Sequence, residues 1–559
     1  MLKSIRRRFT KNKKSTRRRR SCVDLDLVAA SLSFRQDTGL VFDPSKEEDS
    51  HRILNYFFIV GPSPNSASSQ SSHNKDSLLN PNRNDSDESD CEKSDSNSQT
   101  SDTSSNKNSK NSSKNSSNQK SNRHHSIKQP SLLLTYPSHR FPFQKQDFQR
   151  VMQFCYPEGF TNVEKERPFV QFTFGLNDNG TLYFGVCTRF YNKLNNMIQS
   201  DLPICLVSIT SSTLIQSHMT YHRLLYFILQ HCDPKMDLTN PDLLPSNLLR
   251  EEFDSVSNRV ETLETFFQPY QLHLLRSNPL FAVFNDNFDQ IFLKFIEVLF
   301  RFQMFDDRKQ SIKLAPDIKM EILSKKDQLL DIGRVSFSTL FSCLSVNNIA
   351  RYFRAVLLEN QVLLVADDIE TLSKCVLATL VMVSPMSTKS AILPILPDDE
   401  VFLEYLDTPT PFVFGALETE SLGNHNLSEY LTVVDLIHGS IDYPEDVCHV
   451  PHVEKLKSQL KDITKDKNGK SHSTGYLFKA STCDKLVKAF TQFNELFVSQ
   501  ERLDGCRVRD TTDSNNPVIG FVKDAYMVNI PDKEVDFYDS LIETQTFQEY
   551  CETTYRIPS

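Results

Sequence analysis

An α/β protein with a separate helical C-terminal part is the fold class this sequence predicts, on three observations. The first is the stretch AVLLENQVLLVADDIETLSKC, Ala355 to Cys375, where a helical apolar pattern runs into five residues of strand and straight on into another helix. The second is a hairpin signature: FVQFTFGL, then Asn177-Asp178-Asn179-Gly180, then TLYFGVCTRF. Asn-Gly supplies the positive φ angles that a tight hairpin turn needs. The third is the C-terminal region, where Leu486, Phe490, Phe493 and Phe497, then Leu541, Ile542, Phe547 and Tyr550, recur at helical spacing.

The totals set limits on these elements. A chain of 559 residues is too long for one core. Its net charge of −8 is unevenly spread. Residues 1–20 hold eleven Lys and Arg and no acid, ending in Arg17-Arg18-Arg19-Arg20, so the rest of the chain is strongly acidic and no nucleic-acid partner is expected. The basic end reads as a patch for an anionic membrane surface, worth about 1 kcal/mol per base. The twelve cysteines form no CxxC pair, and most sit in apolar runs, as reduced buried thiols do. The N-terminus has no apolar signal core, and the longest apolar run, Cys375 to Val383, is about half a bilayer crossing. A cytoplasmic protein, peripheral on membranes, is the expectation.

In chain order, residues 1–47 read as a basic, largely disordered N-terminus. Residues 48–191 form one small sheet unit, with RILNYFFIVG as a buried strand and the hairpin near its end. It is interrupted by a Ser/Asn-rich insertion over 62–130, which carries 22 Ser and 12 Asn and no Phe or Tyr. Such a composition cannot offset the entropy of ordering a backbone. Strands on its two sides are still expected to pair, so the insertion interrupts the unit without dividing it. Residues 202–417 form the central α/β unit. It opens on the strand LPICLVSIT, and a later helix, 287–302, carries one apolar stripe from Ile291 to Phe302. Ser345 caps a helix with Val346, Ile349, Phe353, Val356 and Leu357 inward. Gln361 to Ala366 is a strand, Asp367 or Asp368 caps the next helix, and AILPILP follows as another strand. Helix–strand–helix–strand at this spacing predicts a parallel-type sheet with helices on its faces. Residues 418–559 add LTVVDLIHGSI as one more strand, a polar loop over 461–475, and helices concentrated in about 484–556.

Catalytic motifs are scarce. Asn468-Gly469-Lys470-Ser471 imitates the end of a phosphate loop, but Thr464 stands where its first glycine belongs. His218 and His222, four apart, with His231 nearby, lack a Cys or carboxylate at ligand spacing, and His449 and His452 fare no better. No metal, no cofactor and no bond-making chemistry are expected.

Several blocks, in order, resemble the tripartite DENN family. RILNYFFIVG, YPEGF and the hairpin resemble its upstream module (uDENN). LPICLVSI, LFSCLSVNNIARYFRAVLLENQVLLVADDIETLS, ILPILP and TPTPFVFGAL resemble its central module (cDENN). LVKAFTQFNELF through SLIETQTFQEYCE resembles its downstream module (dDENN). The chain departs from the family pattern where an aromatic passage is replaced by Val383-Ser384-Pro385-Met386-Ser387-Thr388, and where an Asp-x-Asp becomes Asp435-Leu436-Ile437.

The resemblance implies a longin-like α/β first module, an α/β second and a helical third. It also implies guanine-nucleotide exchange on a Rab-type small GTPase in membrane trafficking, in a groove between the first two modules. Tyr156, Glu158, Pro411, Phe412, Asp435 and His438 are the GTPase-binding candidates. Two alternatives stand beside this: a GTPase-activating role with Arg189 as arginine finger, and a non-catalytic scaffold tethering GTPases.

Overall fold

A computed structural model describes residues 53–62, 130–136, 145–159, 169–178, 181–190, 203–231, 310–315, 318–444, 448–465, 478–509, 519–528 and 530–553, with scattered positions from 296 to 309. The basic N-terminus, the Ser/Asn-rich stretch, most of 287–302 and the Asn468–Ser471 motif lie outside the described residues.

The first sheet is antiparallel, in the order β2-β1-β5-β4-β3. Its elements are β1 (Tyr56–Pro62), β2 (Pro130–Tyr136), helix α1 (Lys145–Cys155), β3 (Phe169–Asp178), β4 (Thr181–Phe190), β5 (Ile204–Thr210) and helix α2 (Ile215–His231). The strands flanking the long polar stretch do pair, with Pro62 opposite Pro130. The hairpin is present with Asp178 opposite Thr181, so only residues 179 and 180 connect its strands. Alternation gives the sheet two different faces. Phe172, Phe174, Cys187, Arg189, Cys205 and Val207 share one face, with Phe154, Cys155 and Tyr156 from the end of α1 and the turn after it packed in the same core. Gln171, Thr188 and Ser208 share the other, against α2.

A short hairpin, β6 (Gln310–Ala315) and β7 (Ile318–Ile322), leads into α3 (Gln328–Cys343) and α4 (Val346–Leu357). Neither the hairpin nor α3 was expected from periodicity; α3 mixes Asp331, Arg334 and several Ser and Thr with its apolar residues, and buries some of the polar ones, so no clean apolar stripe stands out. Ser345 caps α4 by accepting from the Asn348 N–H, as the sequence indicates. Then come β8 (Val362–Ala366), α5 (Ile369–Met382), β9 (Ala391–Leu396), α6 (Glu400–Leu403), β10 (Phe412–Leu417), α7 (Glu420–Asn424), β11 (Thr432–Asp435) and β12 (Ser440–Asp442). The second sheet runs β12-β11-β8-β10-β9, with β8, β9, β10 and β11 parallel and β12 antiparallel at one edge. LTVVDLIHGSI is therefore two strands, because Gly439 at φ +64 turns the chain back on itself. Pro394 is tolerated inside β9 because β9 is the other edge, where one N–H can be spared.

The remaining elements are α8 (Val453–Thr464), α9 (Ala480–Val498), α10 (Gln500–Asp504), β13 (Arg507–Arg509), β14 (Ile519–Phe521), α11 (Lys523–Met527), α12 (Val535–Ile542) and α13 (Gln545–Thr553). Helix α8 carries the chain to Thr464, so the polar loop expected from 461 starts later. The phenylalanine stripe of α9 packs on the central helices: Phe490 stacks on Phe337 at 5.7 Å, and Phe353 meets Phe490 and Phe493. Helix α13 is tied to the end of α4 by Glu359, whose carboxylate accepts from the Gln545 and Thr546 N–H groups and the Thr546 hydroxyl. Glu359 holds a left-handed φ of +51 to reach there. The fold is α/β sheets plus helices, as the sequence predicts.

Every described residue belongs to one compact unit, and the two sheets meet inside it. Strand β3 lies so close to β9 that a Cβ on Gly175 would stand 2.8 Å from the Ile392 carbonyl oxygen. One apolar cluster joins Phe172 and Phe174 to Leu363, Leu393, Phe412 and Phe414. The N-terminus of α2 is held by α3, since Asp331 accepts from the Gln216 and Ser217 N–H groups.

Candidate functional site

Parallel strands deliver all their C-terminal ends to one edge, and ligands of α/β sheets bind along it. In the central sheet that edge carries Asp367 and Asp368 after β8, Asp398 and Asp399 after β9, Glu418 to Glu420 after β10, and Leu436 to Gly439 after β11. Half of these polar groups stiffen the edge. Asp368 caps α5 through the Thr371 N–H at 2.8 Å, and Asp399 caps α6 through the Val401 N–H at 3.0 Å. Thr419 caps α7 and donates its hydroxyl to Asp398 at 2.9 Å, which bridges two loops. Asp367, Glu400, Glu418 and Glu420 remain at the surface, as does Val401, which follows Glu400 and is 61% exposed. The result is a rigid acidic rim with one apolar residue standing on it.

The turn after α1 abuts this rim. Pro157 accepts at its carbonyl from the Asp398 N–H at 2.8 Å, Gln153 donates to Asp399 at 3.3 Å, and the Phe154 ring meets Phe402 edge-on at 5.3 Å. Gly159 closes the turn at φ +84. Tyr156 is buried and donates its hydroxyl to the Pro203 carbonyl at 2.7 Å. Burial holds its phenol well above the usual value, so it stays a neutral donor. Glu158 takes both guanidinium nitrogens of Arg189. Arg189 lies under this turn, only 3% exposed, with its charge also over the Tyr156 and Phe172 rings. Burial opposes that charge, and Glu158 more than offsets the opposition.

The six sequence candidates fall into three places. Tyr156 and Glu158 stand at the turn against the end of β9. Asp435 and His438 stand on the same rim at the end of β11, three strand spacings away, or roughly 14 Å. Asp435 is buried and organises its own turn, accepting from the Ile437 and His438 N–H groups and from His438 Nδ1 at 2.9 Å. The His438 ring above it is 63% exposed. Pro411 and Phe412 do not join them. They begin β10 rather than end it, Pro411 accepting from the Ala391 N–H and Phe412 being fully buried and stacked on Phe414 at 4.2 Å. The extended strand β10 separates them from the rim and leaves them at the far edge. Arg189, considered as a finger, points into the protein and braces the turn.

Asp398, Glu400, Val401 and Thr419 were not singled out by sequence. Their signal was available: Pro-Asp-Asp-Glu directly after an edge strand, and Thr-Glu-Ser-Leu after β10, read as helix caps at strand ends. His218 and His222 are both buried under the first sheet and diverge. His218 Nε2 lies 3.1 Å from the Ile53 carbonyl oxygen, while His222 bridges the Ser208 and Thr188 hydroxyls. Among the described residues, the side chains whose ligand atoms do converge are Cys155, Cys187 and Cys205.

The residues that build this rim are those that comparison recognises. Residues 280–439 match the DENN (AEX-3) domain family. It is 31% identical over 172 residues to DENN domain-containing protein 2A of Mus musculus, covering 29% of this chain and 17% of that protein. It is 36% identical over 100 residues to DENN domain-containing protein 2B of Homo sapiens, covering 18% and 8%, and 33% identical over 101 residues to DENN domain-containing protein 2D of Homo sapiens, covering 18% and 21%. The chain thus spans less than a quarter of the length of these curated relatives. The first sheet and the C-terminal helices lie outside the family match.

Proposed function

We propose that this protein is a guanine-nucleotide exchange factor for a Rab-type small GTPase, with the rim between the two sheets as its grip. The observation that carries the reading is the DENN match over the residues that build the central sheet and its C-terminal edge. The geometry is compatible: an exposed, stiff, acidic edge with Val401 at its surface offers a docking face for a basic, partly apolar protein surface. An exchange factor needs no bond chemistry. It binds the nucleotide-free partner more tightly than the loaded one, and by linkage weakens nucleotide binding by the same factor. Mobile switch loops, ordered by phosphate and magnesium in the loaded partner, are the natural target. In this reading the first sheet is a longin-like upstream module, residues 202–417 the central module and about 484–556 the downstream one. Arg17 to Arg20 would hold the protein on an anionic membrane of a trafficking compartment.

The test is fluorescent-GDP release from a panel of Rab proteins with the full chain. Accelerated release with at least one member is expected, and the double charge reversal Glu400→Lys with Glu418→Lys should slow it about tenfold or more. Binding without accelerated release from any member would favour the scaffold, and faster phosphate release would favour an activating role.

A further inference from the structure

We propose that Cys155, Cys187 and Cys205 form a buried thiolate site for a soft, closed-shell metal ion, Cu+ or Zn2+. The three come from the end of α1, from β4 and from β5, and all are buried. Cys205 stands opposite Arg189 in the β4–β5 register and Cys187 two residues before Arg189, so both project from one face of the sheet, and α1 lowers Cys155 onto them. All three sulfurs lie within 4.8 Å of one another. Sulfurs bound about 2.3 Å from one central ion stand about 4 Å apart. The group therefore needs to contract by less than about 1 Å, within the reach of small χ adjustments.

The surroundings favour negative charge there. Burial raises a thiol's pKa, but at Cys205 hydrogen bonds from the Cys155 and Cys187 thiols, together with the Arg189 guanidinium, draw it net downward. Three clustered sulfurs beside a buried guanidinium are an arrangement that a thiophilic cation can join. With Zn2+, the S–H protons still held by the three cysteines leave to solvent, three metal–sulfur bonds form, and the three thiolates with the ion carry a net charge of −1 beside Arg189. No imidazole or carboxylate joins the group among the described residues. Three thiolates alone suit Cu+, which accepts trigonal coordination, whereas Zn2+ completes four with a further donor. Because the sulfurs are buried, loading accompanies folding. This inference is independent of the exchange reading and revises the expectation of a metal-free chain.

The experiment refolds the full chain under reductant with one equivalent of Zn2+ or of Cu+, removes unbound metal, and measures metal content, thermal midpoint and X-ray absorption. Retention of one ion per chain is expected for at least one of the two metals, with a raised midpoint and a sulfur first shell. Cys187→Ala and Cys205→Ala should abolish retention, while Cys506→Ala leaves it intact. Should those variants fail to fold, the absorption spectrum of the unmodified protein decides alone. No retained ion of either metal, a nitrogen and oxygen shell, or undiminished retention in the folded double variant would overturn the assignment.

Discussion

The two sheets solve the same packing problem with different materials. The central sheet is apolar along its strands, and its polar groups sit at strand ends, where they cap helices and face water. The first sheet buries polar chemistry along its length: Gln171, Thr188, Ser208 and His222 on one face, and Arg189 with three cysteines on the other. A parallel sheet covered on both faces has no use for interior polar groups. An antiparallel sheet with one helix on each face can accept them, provided each finds a partner. The contrast predicts where each region is fragile: the central sheet to changes of volume, the first sheet to changes of protonation.

The largest effect should come from volume. A Cβ on Gly415 would stand 2.4 Å from the Pro394 carbonyl oxygen and 3.0 Å from Leu372 and Val376. Gly415→Ala should cost about 3 kcal/mol or more in urea unfolding, since backbone rather than a flexible side chain is struck. Gly175→Ala, against the Ile392 carbonyl, should cost less, about 1–3 kcal/mol, because two sheets can shift apart where two hydrogen-bonded strands cannot. Equal losses at the two positions would remove the distinction.

Protonation comes next. Burial lowers the His218 pKa to about 4 and holds that of His222 well below the usual 6.5. Both rings are thus neutral in the fold, and the stability that depends on this is complete above about pH 6.5 and declines as pH falls toward 4. The loss at His218 alone is on the order of 3 kcal/mol. Asp331 has the opposite sign. Burial raises its carboxyl to about 7, so its contribution is full below about pH 4 and fades as pH rises through 7. Urea midpoints between pH 7.5 and 5 should therefore fall less steeply toward acid in His222→Gln and more steeply in Asp331→Asn.

A smaller, local effect is expected at the join of α4 and α13. Glu359→Ala leaves the Gln545 and Thr546 N–H groups without their acceptor and should cost roughly 2 kcal/mol. Hydrogen exchange should speed up in 545–553 before any other helix. The smallest effect belongs to the rim: His438→Ala, at an exposed ring, should stay within about 0.5 kcal/mol of the parent.

What the sequence disclosed follows the same division. The capping serine and aspartate of α4 and α5, the strand VLLVA and the Asn-Gly hairpin were all legible, because local pattern and final environment agree there. Helix α3 and β12 were not: one buries Asp331, Ser336 and Ser338 along with its apolar residues, which blurs its pattern, and the other is three residues that only Gly439 sets apart from β11. Of the candidate site, Tyr156 with Glu158 stands against the C-terminal edge of the central sheet, and Asp435 with His438 stands on it. Pro411 and Phe412 stand at the opposite edge, where β10 begins, a placement that nearness to a turn along the chain does not disclose. The convergence of Cys155, Cys187 and Cys205 was invisible to spacing rules, since sequence separations of 32 and 18 residues become neighbours only through register.

The register of β1 against β2 has a practical consequence. Pro62 and Pro130 face each other, so the end of β1 and the start of β2 lie side by side at one point of the sheet. Doubling the length of a loop closed at such a point adds only about 0.6 kcal/mol of closure entropy. The pairing of β1 with β2 should therefore survive a change in the length of the chain that joins them. For the experimenter it is a port: a reporter domain spliced in there, or a two-residue turn put in its place, should leave the urea midpoint of the core unchanged.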